Sequence, residues 1–166
     1  MTKEMAIKLA RLDGYLTGIV ALNGQINDYY AGAFLLNVLN EETIESALTT
    51  YFAPNCQINF LNKRTEISLR KLESEIQGFI ADNLLGKKVD VIEATILSDR
   101  KKYIAFKVMD MIDFVISENE SASKSSVHEH VHKIEAGFED SSSNFTFFCI
   151  SFYDQVLVLQ FMKPSA

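Results

Sequence analysis

The stretch from Val127 to Met162 limits the fold of this chain more than any other. Three runs rich in β-branched and aromatic residues lie there, Val127 to Phe138, Phe145 to Tyr153 and Val156 to Met162. Only the six residues Glu139 to Asn144, which include the turn Ser141-Ser142-Ser143-Asn144, and Asp154-Gln155 separate them. Residues of this kind suit a pleated, half-buried surface. Such short connections suit antiparallel pairing, because parallel strands need a crossover of about a dozen residues or more. The C-terminal part is therefore expected to be an antiparallel sheet.

The chain before it reads mostly as helix. Met5, Leu9, Leu12, Leu16, Ile19 and Val20 recur at helical spacing, and the pattern stops near Asn23-Gly24. Tyr29 to Leu39 is continuously apolar and reads as a second buried helix, with Gly32 against it. Asn40 is a candidate cap for a helix whose inner face is Ile44, Ala47, Leu48, Tyr51 and Phe52, ended by Pro54. Cys56 to Leu61 alternates as a short strand, and Thr65 opens a helix carrying Ile67, Leu72, Ile76, Phe79, Ile80 and Leu84 on one side. Beyond Gly86 the period changes to two. Val89 to Leu97 is then expected as a strand, Ser98-Asp99-Arg100 as its turn and Tyr103 to Met109 as its hairpin partner. Glu118 to Ser126, rich in Ser, Glu and Asn, reads as a mobile loop. Helices first and strands second give an α+β domain.

All three histidines fall in His128-Glu129-His130-Val131-His132. On a helix this is an H-E-x-x-H match, with two imidazoles one turn apart for zinc and a glutamate to activate water. Ser126-x-x-Glu129 even has the pattern of a capping box. On a strand the same residues put His128, His130, His132, Ile134, Ala136 and Phe138 on one face, opposite Glu129, Lys133, Glu135 and Glu139. Position favours the strand, since a loop precedes the segment and a β-rich run that needs a partner follows it. The zinc hydrolase reading also lacks a third ligand: Glu135 and Glu139 on the same helix cannot close a tetrahedron with His128 and His132. A neutral imidazole on a strand remains a possible general base or hydrogen-bond donor.

Composition narrows the function classes. Residues 1–166 carry a formal charge of −6, which argues against a nucleic-acid binder. It suits a soluble enzyme, and equally an acidic cover for a basic partner such as a nuclease toxin. No apolar run approaches the roughly 18 residues that a membrane span needs, and Met1-Thr2-Lys3-Glu4 has no signal-peptide shape. Cys56 and Cys149 sit among apolar residues and are expected as free thiols in a reducing cytoplasm.

The run Asn40-Glu-Glu-Thr-Ile-Glu-Ser-Ala-Leu-Thr-Thr-Tyr-Phe-Ala-Pro-Asn-Cys-Gln-Ile-Asn-Phe60 resembles the helix-to-strand opening of the nuclear transport factor two-like superfamily. The helix from Thr65 to Leu84 sits where that superfamily has its long third helix, and His132 to Asp140 followed by Phe145 to Asp154 is similar to its last long strand pair. The resemblance spans roughly residues 40 to 162 and is one of pattern and order. It implies a cone-shaped curved sheet around a helix, as in ketosteroid isomerase, SnoaL-type polyketide cyclases and scytalone dehydratase, with a small hydrophobic ligand in the cone. It also implies a homodimer.

On this reading residues 1–39 are a helical extension and residues 40–166 the cone, in one compact domain overall. The function expected is small-molecule binding, or metal-independent isomerase, lyase or cyclase chemistry, without a cofactor. The alternatives are an acidic immunity-type interaction module and, last, the zinc hydrolase. His128, His130, His132, Tyr153 and Asp154 are the candidates for lining or edging the cone. Asp110 and Asp113 are further candidates, read equally well as solvent-facing acids.

Overall fold

The computed structural model describes residues 2–23, 30–38, 43–84, 91–117, 130–139, 144–152 and 155–163. In chain order the elements are α1 (Lys3–Asn23), β1 (Ala31–Asn37), α2 (Ile44–Phe52), β2 (Ile58–Phe60), β3 (Thr65–Ile67), α3 (Leu69–Leu84), α4 (Val91–Ile116), β4 (His130–Phe138), β5 (Asn144–Phe152) and β6 (Gln155–Lys163). The class is α+β, with an antiparallel sheet that curves without closing. No helix among the described residues is long and apolar enough to cross a membrane.

The chain divides into two compact units, Met1–Asn27 with Leu69–Lys124, and Asp28–Ser68 with Ser125–Ala166. The first is helical. In it α4 packs against both α1 and α3. Met5, Leu12 and Leu16 of α1 are buried, as are Leu72 and Ile76 of α3 and Ala105, Val108, Ile112 and Val115 of α4. Those spacings of three, four and seven residues are the inner stripes of amphipathic helices. Lys8 is buried too, with its ammonium 3.7 Å from the centre of the Phe114 ring, a cation–π contact.

The second unit is the sheet, ordered β1-β6-β5-β4-β2, with β3 also paired to β4. β4, β5 and β6 form a meander, with His132 opposite Cys149 and Cys149 opposite Val158. β1 closes on the far side of β6, Phe34 facing Val158. β2 and β3 follow one another along the free side of β4: Phe60 pairs with Ala136 and Thr65 with Lys133. Residues 61–64 thus lie opposite only Ile134 and Glu135, so the edge is an interrupted strand. The Leu61 amide donates to the Glu135 carbonyl at 2.8 Å within the interruption.

Helix α2 covers one face of this sheet. Thr43 caps it, its hydroxyl accepting from the Ser46 amide at 3.1 Å. Ile44, Ala47 and Leu48 then pack with Leu36, Ile58, Ile134, Ala136, Phe145, Phe147, Cys149, Val156 and Val158. The rings of this face interlock. Phe52 lies 5.0 Å from Phe138 and 5.9 Å from both Phe147 and Phe34, and Phe34 stacks on Tyr51 at 4.4 Å. On the opposite face of the strands Val131, Phe148, Ile150, Phe152, Leu157, Leu159 and Phe161 are also buried.

Three expectations are corrected. Where a helix is expected from Tyr29 to Leu39, the described residues Ala31–Asn37 are strand β1. Its continuous apolar run suits a strand buried on both faces, as Ala31, Ala33 and Leu36 are, and pairing with β6 decides the matter. Of the hairpin expected from Val89 to Leu97 with Tyr103 to Met109, residues 91–97 and 103–109 are instead part of helix α4. Ser98-Asp99-Arg100 contains no glycine or proline to force a turn, and Ala105, Val108, Ile112, Val115 and Ile116 fall on one helical stripe. Thr65 opens strand β3 rather than the helix, which begins at Leu69. Asn40 and the Glu118 to Ser126 stretch lie outside the described residues.

Candidate functional site

Strand β4 sets its histidines by alternation. His130, His132, Ile134, Ala136 and Phe138 share the face that α2 covers, and Val131, Lys133 and Glu135 point the other way. The H-E-x-x-H reading needs His132 on a helix, and His132 lies on a strand. Residues four apart on a strand are about 13 Å apart and cannot chelate one ion. Among the described residues no three His, Cys, Asp or Glu side chains gather to hold a metal. His128, Tyr153 and Asp154 lie outside the described residues.

The structure brings His130 and His132 together with three residues that carry no signal in the histidine motif. Glu66 of β3 stands directly opposite His132 in the ladder. Its carboxylate reaches diagonally to His130, with Oε1 2.8 Å from Nδ1. Both side chains are exposed, 62% and 58%, so the pair is an ordinary surface contact worth little to stability. Arg64, in the interruption before β3, reaches Glu45 in the first turn of α2 at 3.5 Å. The neighbouring Asn62 turns the other way and donates to Glu135 at 2.7 Å.

His132 is half-buried between these groups, and its Nδ1 is buried with no hydrogen-bond partner. Burial holds the imidazole below its ordinary value of 6.5, and the cations of Arg64 and His130 add to that effect. Glu66 and Glu45 oppose it. The ring is accordingly neutral at neutral pH. The Glu66 carboxyl is lowered, first by the hydrogen bond from His130 and then by its charge. Across the ladder, burial pushes the Cys149 thiol up, so it stays protonated and is a poor nucleophile. Neither Cys56 nor Cys149 is in a disulfide.

The face therefore has two ends. At one, a neutral imidazole sits with a carboxylate–imidazole pair and an arginine–glutamate pair. At the other, Phe34, Tyr51, Phe52, Phe138, Phe145 and Phe147 supply aromatic surface. Such an arrangement can accept or donate one proton or hydrogen bond beside an apolar molecule. Asp110 and Asp113 belong to the helical unit and are exposed on α4, Asp110 lying 3.9 Å from Lys107. Partial burial and the neighbouring Asp110 raise the Asp113 carboxyl.

Glu66 and Arg64 were legible in principle. Arg64-Thr65-Glu66-Ile67 alternates in the manner of a strand, but three residues ahead of a strong helix give too short a period to recognise. Glu45 was placed on its helix by pattern, though nothing in the sequence says which strand its helix lies against.

Comparison with protein-family models, curated proteins and solved structures returns no significant match to this chain. What the fold defines is a class, an α+β protein with a curved antiparallel sheet and a helix packed on one face.

Proposed function

We propose that this protein binds a small, largely apolar molecule carrying one hydrogen-bonding group on the α2 face of its sheet. It acts as a carrier or as a metal-independent isomerase, lyase or cyclase. The observation that carries the reading is the buried, unpartnered Nδ1 of His132 at the margin of an aromatic surface. A buried polar atom without a partner costs about 1–3 kcal/mol, a penalty that a ligand atom bonded to it would relieve. The curved antiparallel sheet and the helix on its face are compatible with the nuclear transport factor two-like cone, and on that likeness we read the protein as a homodimer; its two thiols set among apolar residues support a reducing, cytoplasmic setting. The resemblance supplies no residue roles, and fold alone does not give function.

The test is a ring-resolved NMR screen of small apolar carbonyl and hydroxyl compounds against the full chain. Binders should move the His132 imidazole signals and the amides of β4 and α2. If no binder moves His132, or every binder acts elsewhere, the reading fails.

A second reading, an acidic interaction module, is favoured by one observation. Helix α4 leaves Tyr103 and Phe106 60% and 58% exposed, on a chain of net charge −6. Aromatic side chains on a surface are common anchors of protein interfaces. On this reading a basic protein partner shifts the amides of α4 and leaves His132 unmoved.

A further inference from the structure

The groups around His132 come from four elements. Glu66 of the edge strand and Cys149 of β5 stand opposite it in the ladder, His130 lies two residues along its own strand, and Arg64, two residues before Glu66, bridges to Glu45 in the first turn of α2 at 3.5 Å, close enough for the charges of both to act on the imidazole. With the His132 imidazole neutral, the Arg64 cation stands with two carboxylates, Glu45 and Glu66; with it charged, a second cation joins them.

The carboxylates differ in their freedom to respond. Glu66 is already held by His130 at 2.8 Å. Among the described residues Glu45 has one side-chain partner, Arg64, at 3.5 Å and in a partly exposed pair. The partner that can change is therefore Glu45.

We propose that the edge of this sheet is a proton-operated latch in which Glu45 exchanges Arg64 for His132. With His132 neutral, the Arg64–Glu45 bridge ties the interruption between β2 and β3 to the first turn of α2. With His132 charged, two cations crowd one another, Glu45 turns to the imidazolium, and Arg64 moves out to solvent. The buried Nδ1 of His132, unpartnered in the neutral state, gains a proton and a carboxylate together. Residues 61–64 lose their tie to the helix, while β3 keeps its anchor through Glu66 and His130. The direction follows from the burial that holds His132 below 6.5: the latch is shut at neutral pH and opens as the pH falls below that value.

The inference concerns the same imidazole as the ligand reading but does not rest on it, because the test uses the protein alone. Amide hydrogen exchange is measured on the full chain at about pH 7.5 and about pH 5, corrected for the intrinsic rates. The Leu61 amide, bonded to the Glu135 carbonyl, is the reporter. Acid should reduce its protection about two- to fivefold, the range expected for loss of one partly exposed ion pair. The amides of β4 and β5 should show no matching change.

In H132N, which keeps a polar side chain but cannot titrate there, the Leu61 difference should vanish. In E45Q protection should be low at both pH values, whereas H130Q should keep the pH response. E45Q, on the helix surface, also serves if H132N does not fold. Equal protection at the two pH values in the native chain overturns the proposal. So does an undiminished pH response in H132N, or in E45Q.

Discussion

Replacing Phe147 by alanine removes the ring at the centre of the α2 face. Phe147 is fully buried, lies on the central strand β5, and touches Phe52 at 5.9 Å and Phe145 at 6.3 Å. Deleting a buried phenylalanine costs about 3–5 kcal/mol, through lost transfer free energy and the cavity left behind. Phe147 should fall in the middle of that range or above. Its cross-strand neighbours Ile134 and Gln160 are fixed by backbone pairing on both sides, so the site collapses poorly. The same deletion at Phe106, 58% exposed on α4, should change stability by no more than about 0.5 kcal/mol. The pair is measured by urea unfolding. Far-UV circular dichroism is the probe, since the chain has no tryptophan. Because the chain has two units, hydrogen exchange of the β5 amides serves as a second probe, showing which unit has lost stability. A loss below about 1 kcal/mol for Phe147→Ala, or equal losses at the two sites, would refute the placement of this face.

Thr43→Ala removes the cap of α2 and should cost about 1 kcal/mol in the same urea assay, while Thr43→Ser should cost much less. Glu66, whose carboxyl is lowered from 4.5, contributes stability above that pH that fades as the pH falls through its lowered value. Glu66→Gln should therefore lower the stability–pH curve slightly above 4.5 and leave its acid end unchanged, which flattens the acid limb; the drop is small because the pair is exposed. For His132 the sign is opposite to that of a paired histidine: a value below 6.5 makes stability rise with pH up to about 6.5 and level off above it, and His132→Asn should remove that rise. In native protein a thiol reagent should modify half-buried Cys56 before fully buried Cys149, which should react only on unfolding. Equal rates for the two would contradict the burial of β5.

The parts of the fold that were legible in sequence are those with a local signal. β4, β5 and β6 were placed within about three residues at each end, because alternation and short turns act over a few residues. The shared face of His130, His132, Ile134, Ala136 and Phe138 followed from period two alone. The two larger failures have one cause. Ala31–Asn37 and Val91–Ile116 are rich in apolar residues, and over short windows such runs fit a helix or a strand equally well. β1 is a strand because Val156 to Phe161 pairs with it, a fact no local window contains. The site was legible only as far as β4. Arg64 and Glu66 reach the histidines through an interrupted edge strand whose pieces are too short for their own pattern to show.

The division of the sheet between two distant stretches of chain has a kinetic consequence. Ala31 pairs with Phe161 and Ile58 with Phe138, so the sheet's two flanks are closed by residues 130 and 80 positions apart. The β4–β5–β6 meander closes short loops and can form early, whereas β1, β2 and β3 must wait for it. During synthesis the apolar Ala31–Asn37 segment emerges long before its partner exists, at about 5–20 residues per second. For several seconds it is an uncharged segment without its ladder, open to pairing with another chain. Refolding is accordingly expected to be slow and sensitive to protein concentration, and substitutions at Phe34 or Leu35 should change the yield of soluble protein more than their effect on stability implies.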